Sequence, residues 1–358
     1  MNPTFTRILA AGLPDRRDLF VTAARRLGTN ERNVEKDFWV CWTLDALFNG
    51  LPEGRPRLLF KGGTSLSKAF KLIARFSEDI DVTVFRDDLG QAASVDQLEA
   101  MSGKQRRARL DAIRDACREY INGALLRDLG GVLARACDEA GLSRDAWSVV
   151  ADRNDPDHQT LVLSYPSVTA EADGYVRPAV RIESGAKSAL DPNAPATVTP
   201  YVADDLDGAD LSVPNITTVD PRRTFWDKVV ILHGLRRWFD NRGVLRQEGQ
   251  RISRHYYDVH RLLDSDVGRG AVGDPSMATD CARHARMFFN RPDFDLESAA
   301  PGRFALVPAP SMMDLLRRDY ERMAEMIFGP VPDFASVIES VSGLEARVNA
   351  VTDPGRWA

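Results

Sequence analysis

The sequence predicts an α/β (α+β) protein: a mixed sheet with helices in the first half, then a mostly helical second half. Three observations carry this. Two short runs, RLLFK at 57–61 and DIDVTV at 79–84, have the length and composition of strands and bracket a glycine turn and a helix. After Trp147 the texture changes to further alternating stretches. Beyond Asp220-Pro221, apolar residues recur at helical spacing almost to the end, which predicts an α/β part over 1–220 and a helical part over 221–358.

In chain order, NVEKDFWVCWTLDALF (33–48) carries Val34, Phe38, Cys41, Trp42, Leu44, Ala46 and Leu47 at helical spacing and reads as an amphipathic helix. RLLFK is a buried strand stopped by Gly62-Gly63. Thr64 opens a helix expected to run to about Ile73, with Leu66, Ala69, Phe70 and Ile73 inward. DIDVTV alternates with period two, a second strand. The charged stretch 91–139 is helical in pattern and basic over 104–118. Strands are expected at 159–165 and 175–183, the latter with Val180 and Ile182 on one face and Arg181 and Glu183 on the other. Helices follow in TFWDKVVILHGLRRWF, RHYYDVHRLL, LLRRDYERMAEMIFG and FASVIESVSGLEARVNAV.

The bulk numbers narrow the class. A chain of 358 residues with 44% apolar and 28% charged residues is soluble, globular and long enough to bury a sizeable core. Cys41, Cys117, Cys137 and Cys281 form no CxxC pair and have no His at metal-ligand spacing, which argues against a disulfide framework and a zinc site and predicts a reducing cytoplasm. The first apolar run is broken by charge too soon for a signal peptide, and no stretch approaches the roughly 18 apolar residues of a membrane span. No membrane partner is expected. The net charge of −5 opposes a nucleic-acid-coating protein, yet residues 221–261 hold ten Lys or Arg against four Asp or Glu. That local +6 leaves −11 for the rest, a pattern that suits one polyanion at one site.

Residues 60–84 carry chemistry. Gly62 and Gly63 permit positive φ and close approach of a phosphate to the backbone. Thr64 and Ser65 sit where a helix N-terminus favours an anion. Asp79 and Asp81, two apart on a strand, project from one face, and their mutual repulsion is relieved when they share a divalent cation. Mg²⁺, which takes few protein carboxylates plus phosphate oxygens, fits that pair. Glu78 turns to the other face and is left out. Gly-Gly and Asp-x-Asp are each weak signals, and joined by one helical connection they are much stronger. The result is a set of parts for phosphoryl or nucleotidyl transfer.

FKGGTSLSKAFKLIARFSEDIDVTV resembles the signature of the AbiEii-type nucleotidyltransferase toxins (the AbiEii, AbiGii and MenT-like group of the DNA polymerase β-like superfamily). VEKDFWVCWTL, TFWDKVVILHG and SRHYYDVHRL are similar to further blocks of that family, as is LRRDYERMAEMIFGPVPDFASVIESVSGLEARVN, so the resemblance spans about 34–350. The interval from Thr64 to Asp79 is longer than in the simplest Gly-Ser-to-Asp-x-Asp form, which leaves Thr64 and Ser65 as alternative phosphate contacts. The resemblance implies a nucleotidyltransferase-like mixed sheet completed by the helical half. It further implies transfer of a nucleoside monophosphate from an NTP to an acceptor hydroxyl, the 3′ end of tRNA, by the toxin of a toxin–antitoxin system. A cognate antitoxin would be a partner, the basic stretch 221–261 would meet RNA, and DNA has no expected part. Glu183 is implied as a third carboxylate, Lys228 as a phosphate contact and Asp258 as a member of the active-site set. Glu183 and Asp258 stand as alternatives for the base, each with a plain structural reading beside it: a solvent-facing strand Glu, and an Asp bridged to Arg254 and Arg261 one turn away. Transfer to protein or a small molecule, and a non-catalytic NTP-binding regulator, are the other readings.

Overall fold

The structure, a computed structural model, describes residues 1–169, 178–246 and 252–350. The described chain forms helices α1 (Pro3–Ala10), α2 (Leu13–Leu27) and α3 (Glu31–Asp45), then strand β1 (Leu58–Lys61), α4 (Gly62–Lys68) and β2 (Asp79–Val84). Helices α5 (Val95–Glu99), α6 (Gly103–Tyr120) and α7 (Leu126–Glu139) lead to β3 (Ser148–Ala151), β4 (Thr160–Ser164), β5 (Ala179–Gly185), β6 (Asn193–Val198) and β7 (Val213–Val219). The remainder is helical: α8 (Pro221–Arg242), α9 (Ser253–Leu263), α10 (Asp266–Val272), α11 (Pro275–Phe288), α12 (Met313–Ala324) and α13 (Phe334–Asn349).

Two compact units result. The first comprises 1–71, 76–93 and 102–219, the second 72–75, 94–101 and 220 onward. All seven strands of the described chain lie in the first unit, in one mixed sheet of order β3-β4-β5-β2-β1-β7-β6. β2 pairs antiparallel with β1 and parallel with β5, and β1 pairs parallel with β7. The α/β class read from the sequence is therefore the class observed.

Several elements differ from the sequence reading. The helix expected to reach Ile73 ends at Lys68, and Lys71 takes a left-handed φ of 54°. The apolar spacing persists, yet the backbone of 72–75 is drawn into the second unit: Arg75 bridges Ile327, and the Phe328 N–H donates to the Ala74 carbonyl. Strands β3, β6 and β7 were not anticipated. β5 starts at Ala179, and Tyr175 to Arg177 of the expected strand lie outside the described residues.

The first unit's core is aromatic at α3. Phe38 packs against Phe5, Phe20 and Trp39, and Trp39 meets Trp42 edge-on and stacks on Tyr165 at 5.1 Å between ring centres. In the second unit Trp226 stacks with Phe304 and donates to the Ala271 carbonyl, and Tyr256 and Tyr257 are buried. The four cysteines are buried and free, and no helix of the described residues is long and apolar enough to cross a membrane.

Next to the aromatics, α3 buries three consecutive charges. Glu35 accepts from Ser167 Oγ and from the N–H groups of Val168 and Thr169. Lys36 Nζ donates to Glu78 Oε2 at 2.6 Å. Asp37 holds Lys68 Nζ at 2.5 Å and accepts the Tyr201 N–H at 2.7 Å, while that ammonium stands 3.6 Å from the centre of the Tyr201 ring. Breaking a buried pair strands one charge, at a cost of about 3–5 kcal/mol. Asp37→Ala is expected to lose that much in urea unfolding, and to lose far less when Lys68→Met is already present. Additive losses from the two changes would show that the pair is uncoupled.

Candidate active site

Asp79 and Asp81 leave β2 on one face because side chains alternate along a strand. The parallel register sets Asp81 beside Glu183 and Asp79 beside Arg181 on β5. Neighbouring strands run about 4.8 Å apart, so Asp79, Asp81 and Glu183 share one patch of the sheet. Val180 and Ile182, the alternate residues of β5, are fully buried on the opposite face.

The patch is strongly acidic. Asp79 is pushed up to about 7, first by burial, then by the charges of Glu78 and Glu183; Lys36 opposes this and Asp81 adds to it. Glu78 lies just ahead of β2 and turns to Lys36, and its charge raises Asp79. Glu183 is half exposed and stands 3.7 Å from Arg181, whose nearer partner is Asp152 at 3.1 Å.

Gly62 is fixed by this geometry. Its φ is +79°, and a Cβ there would lie 2.2 Å from Asp81 Oδ2. The carboxylate therefore rests against bare backbone where β1 turns into α4. Gly63 follows it in the first turn of α4. The hydroxyls of Thr64 and Ser65 are both engaged within the turn: Thr64 Oγ1 meets Ser77 Oγ at 2.6 Å and donates to the Asp79 carbonyl, and Ser65 Oγ donates to the Gly62 carbonyl at 2.9 Å. Thr64 thereby ties α4 to the first residue of the acidic pair.

Among the described residues no three His, Cys, Asp or Glu side chains converge tightly enough to cage a metal ion by themselves. What β2 offers is a pair of carboxylates on one open face, one of them held against ionising. That donor set fits Mg²⁺, which takes one or two carboxylates and completes its shell with water and phosphate oxygens.

Lys228 and Asp258 lie in the second unit. Lys228 Nζ is 2.8 Å from Asp258 Oδ2, and Arg75 grips the same carboxylate through Nε and Nη2 at 2.8 and 2.9 Å. The anion that burial of Lys228 demands is thus Asp258, and the partners of Asp258 are Arg75 and Lys228 instead of Arg254 and Arg261. Burial alone would raise the Asp258 carboxyl, yet the two cations hold it well below the usual carboxylate range. Lys228 is lowered, by burial and by Arg75, although Asp258 works the other way.

The charge excess counted along 221–261 shrinks in space. Arg222 pairs with Asp220, Arg236 with Asp240, Arg237 with Asp295, Arg242 with Asp293 and Arg261 with Asp264. Four of those five acids come from outside the stretch, and residues 247–251 lie outside the described chain. Sequence reasoning missed Lys36 and Arg75. The signal for Lys36 was present, as three successive charges embedded in an apolar helix pattern. For Arg75 there was none.

The chain matches the family described as "Nucleotidyl transferase AbiEii toxin, Type IV TA system" over residues 45–342. No curated protein matches it. Among solved structures it is similar in fold to the nucleotidyltransferase toxin MenT4 from Mycobacterium tuberculosis H37Rv, with 15% identity, a TM-score of 0.51, and coverage of 95% of this chain and 92% of that one.

Two outcomes follow from the acidic patch. Asp79 titrates near 7 in the folded chain and near 4 when unfolded, so the metal-free protein should lose stability as pH rises from about 4 to about 7 and stay low above it. Its contribution to the slope is at most about 1.4 kcal/mol per pH unit. Asp79→Asn should flatten that fall in melting temperature; an unchanged profile would contradict the assignment. Gly62→Ala should displace Asp81, lower the melting temperature and weaken Mn²⁺ binding measured by calorimetry. Wild-type Mn²⁺ affinity in that variant would contradict the close approach.

Proposed function

The chain belongs to the AbiEii family, nucleotidyltransferase toxins of type IV toxin–antitoxin systems, and from that premise we propose that it transfers a nucleoside monophosphate from Mg²⁺-bound NTP to the 3′-terminal hydroxyl of tRNA. The observation that carries the chemistry is the acidic pair on β2 with Glu183 in register beside it. The tRNA acceptor rests on the family resemblance.

In this reading Asp79 and Asp81 hold the metal. When bound, the ion neutralises charge around the α-phosphate and aligns the attacking oxygen. Asp81 is oriented by its contact with the Gly62 backbone, and Asp79 by the hydrogen bond from Thr64 to its own carbonyl. Gly62, Gly63, Thr64 and Ser65 form the turn that receives the terminal phosphates. Lys228 stands as a phosphate contact on the family resemblance alone; within its own unit it is paired with Asp258, which also serves Arg75.

Of the two alternatives for the base, Glu183 is favoured. It is half exposed and adjacent to Asp81, so it can take the proton of an acceptor hydroxyl. Asp258 is fully buried between two cations that hold it ionised, a poor proton acceptor. Its role here is to fix Lys228. We place the activity in the cytoplasm with a cognate antitoxin as genetic partner, supported by the family and by four free, buried cysteines.

Incubating the purified protein with Mg²⁺, total tRNA and each α-labelled NTP in turn should label tRNA at its 3′ end. Asp81→Asn should lower the rate by on the order of 10²-fold or more. Label on protein instead of RNA would replace the acceptor, and no label on RNA, protein or small molecules would overturn the transfer reading.

A further inference from the structure

The acidic face carries a cation that neither the metal pair nor the glycine turn accounts for. Lys61 is the last residue of β1 and lies directly across from Asp81 in the antiparallel register, so the two side chains share a face. Lys61 Nζ stands 3.9 Å from Asp81 Oδ1, a charge contact too long for a hydrogen bond. The side chain is 29% exposed. Arg181, on the other flank, differs: it is anchored by Asp152, which lies outside the acidic set. The anion facing Lys61 is itself one of the residues proposed to hold the metal.

A divalent ion on Asp81 competes for the same carboxylate and repels a second cation a few ångströms away, which weakens the Lys61 contact. The ammonium is then available to a new anion. We infer that Lys61 is a phosphate-binding residue that exchanges Asp81 for the triphosphate of the incoming nucleotide when the metal arrives. The inference deepens the nucleotidyl-transfer reading and rests on it.

Two further features suit Lys61 to this part. It immediately precedes Gly62, so it is held at the end of a strand within the sheet, beside the turn where β1 passes into α4. Its four-carbon stem lets the ammonium swing from Asp81 to a neighbouring phosphate without moving the backbone. In the absence of nucleotide it offsets part of the carboxylate repulsion on the same face.

The test uses two binding measurements whose expected signs are opposite. Mn²⁺ binding to the full chain without nucleotide, followed by calorimetry, should be about tenfold tighter in Lys61→Met than in wild type, because a competing charge is gone. Affinity for a non-hydrolysable NTP analogue at saturating Mg²⁺ should fall about tenfold to a hundredfold in the same variant and be largely restored in Lys61→Arg. Melting temperatures of the three proteins report folding separately. A purely structural lysine would weaken both ligands together or neither, and either result overturns the inference while leaving the transfer reading intact. Wild-type protein that binds no Mn²⁺ would overturn the metal reading, and this one with it.

Discussion

Glu35, Lys36 and Asp37 stand in succession on α3, and each is buried against a different part of the first unit. Glu35 takes the backbone of Val168 and Thr169, Lys36 takes Glu78 ahead of β2, and Asp37 takes Lys68 at the end of α4 together with the Tyr201 backbone. Successive helix residues point about 100° apart, so three in a row can be buried only where the chain wraps the helix. The aromatic packing of Phe38, Trp39 and Trp42 supplies the burial energy, and the charges supply the addresses. Apolar contact alone would tolerate a sliding of α4 and β2 along α3. Ion pairs and hydrogen bonds with named partners do not.

The position of the acidic pair follows from that constraint. α4 is held at its far end by Asp37 and at its start by the Thr64 contact to the Asp79 carbonyl, while the approach to β2 is held by Lys36 on Glu78. Those ties bracket the start of β2, where Asp81 lies against the Gly62 backbone. Lys36 acts twice. It fixes Glu78 mechanically, and its charge offsets part of the repulsion that raises Asp79. A site that gathers like charges is strained by itself, and besides protonation of Asp79 a nearby cation such as Lys36 relieves it before any metal arrives.

What the sequence could disclose was whatever depends on near neighbours. Alternation places Asp79 and Asp81 together, and Arg181 and Glu183 together, without knowledge of the fold. Gly62 is legible because a turn after a strand needs it. Contacts made across long separations were invisible: Lys36 with Glu78, Asp37 with Lys68, and Arg75 with Asp258, 183 positions apart. Strands β6 and β7 escaped because Pro195, Pro214 and Asn215, the last with φ of 63°, break the alternating pattern that marks a strand. β3 escaped because four residues of half-exposed edge strand carry too little periodicity to register. The overlong helix after Thr64 arose from a real apolar pattern whose last member, Ile73, belongs to a different unit.

The same limit explains why the basic stretch 221–261 misleads as a count. Charge in a sequence is a sum over neighbours along the chain, whereas a ligand meets a sum over neighbours in space. Asp220, Asp264, Asp293 and Asp295 come from outside the stretch and take up arginines within it, leaving much less field than the local +6 suggested. Most of these pairs are exposed and worth little to stability. They still orient the side chains and lower the potential that a polyanion would meet. By contrast Lys61 contributes a single charge but stands across from Asp81, where a nucleotide's phosphates are proposed to arrive. Recognition of a charged substrate in this chain is therefore better sought in cations placed beside the acids than in the density of arginine along a helix.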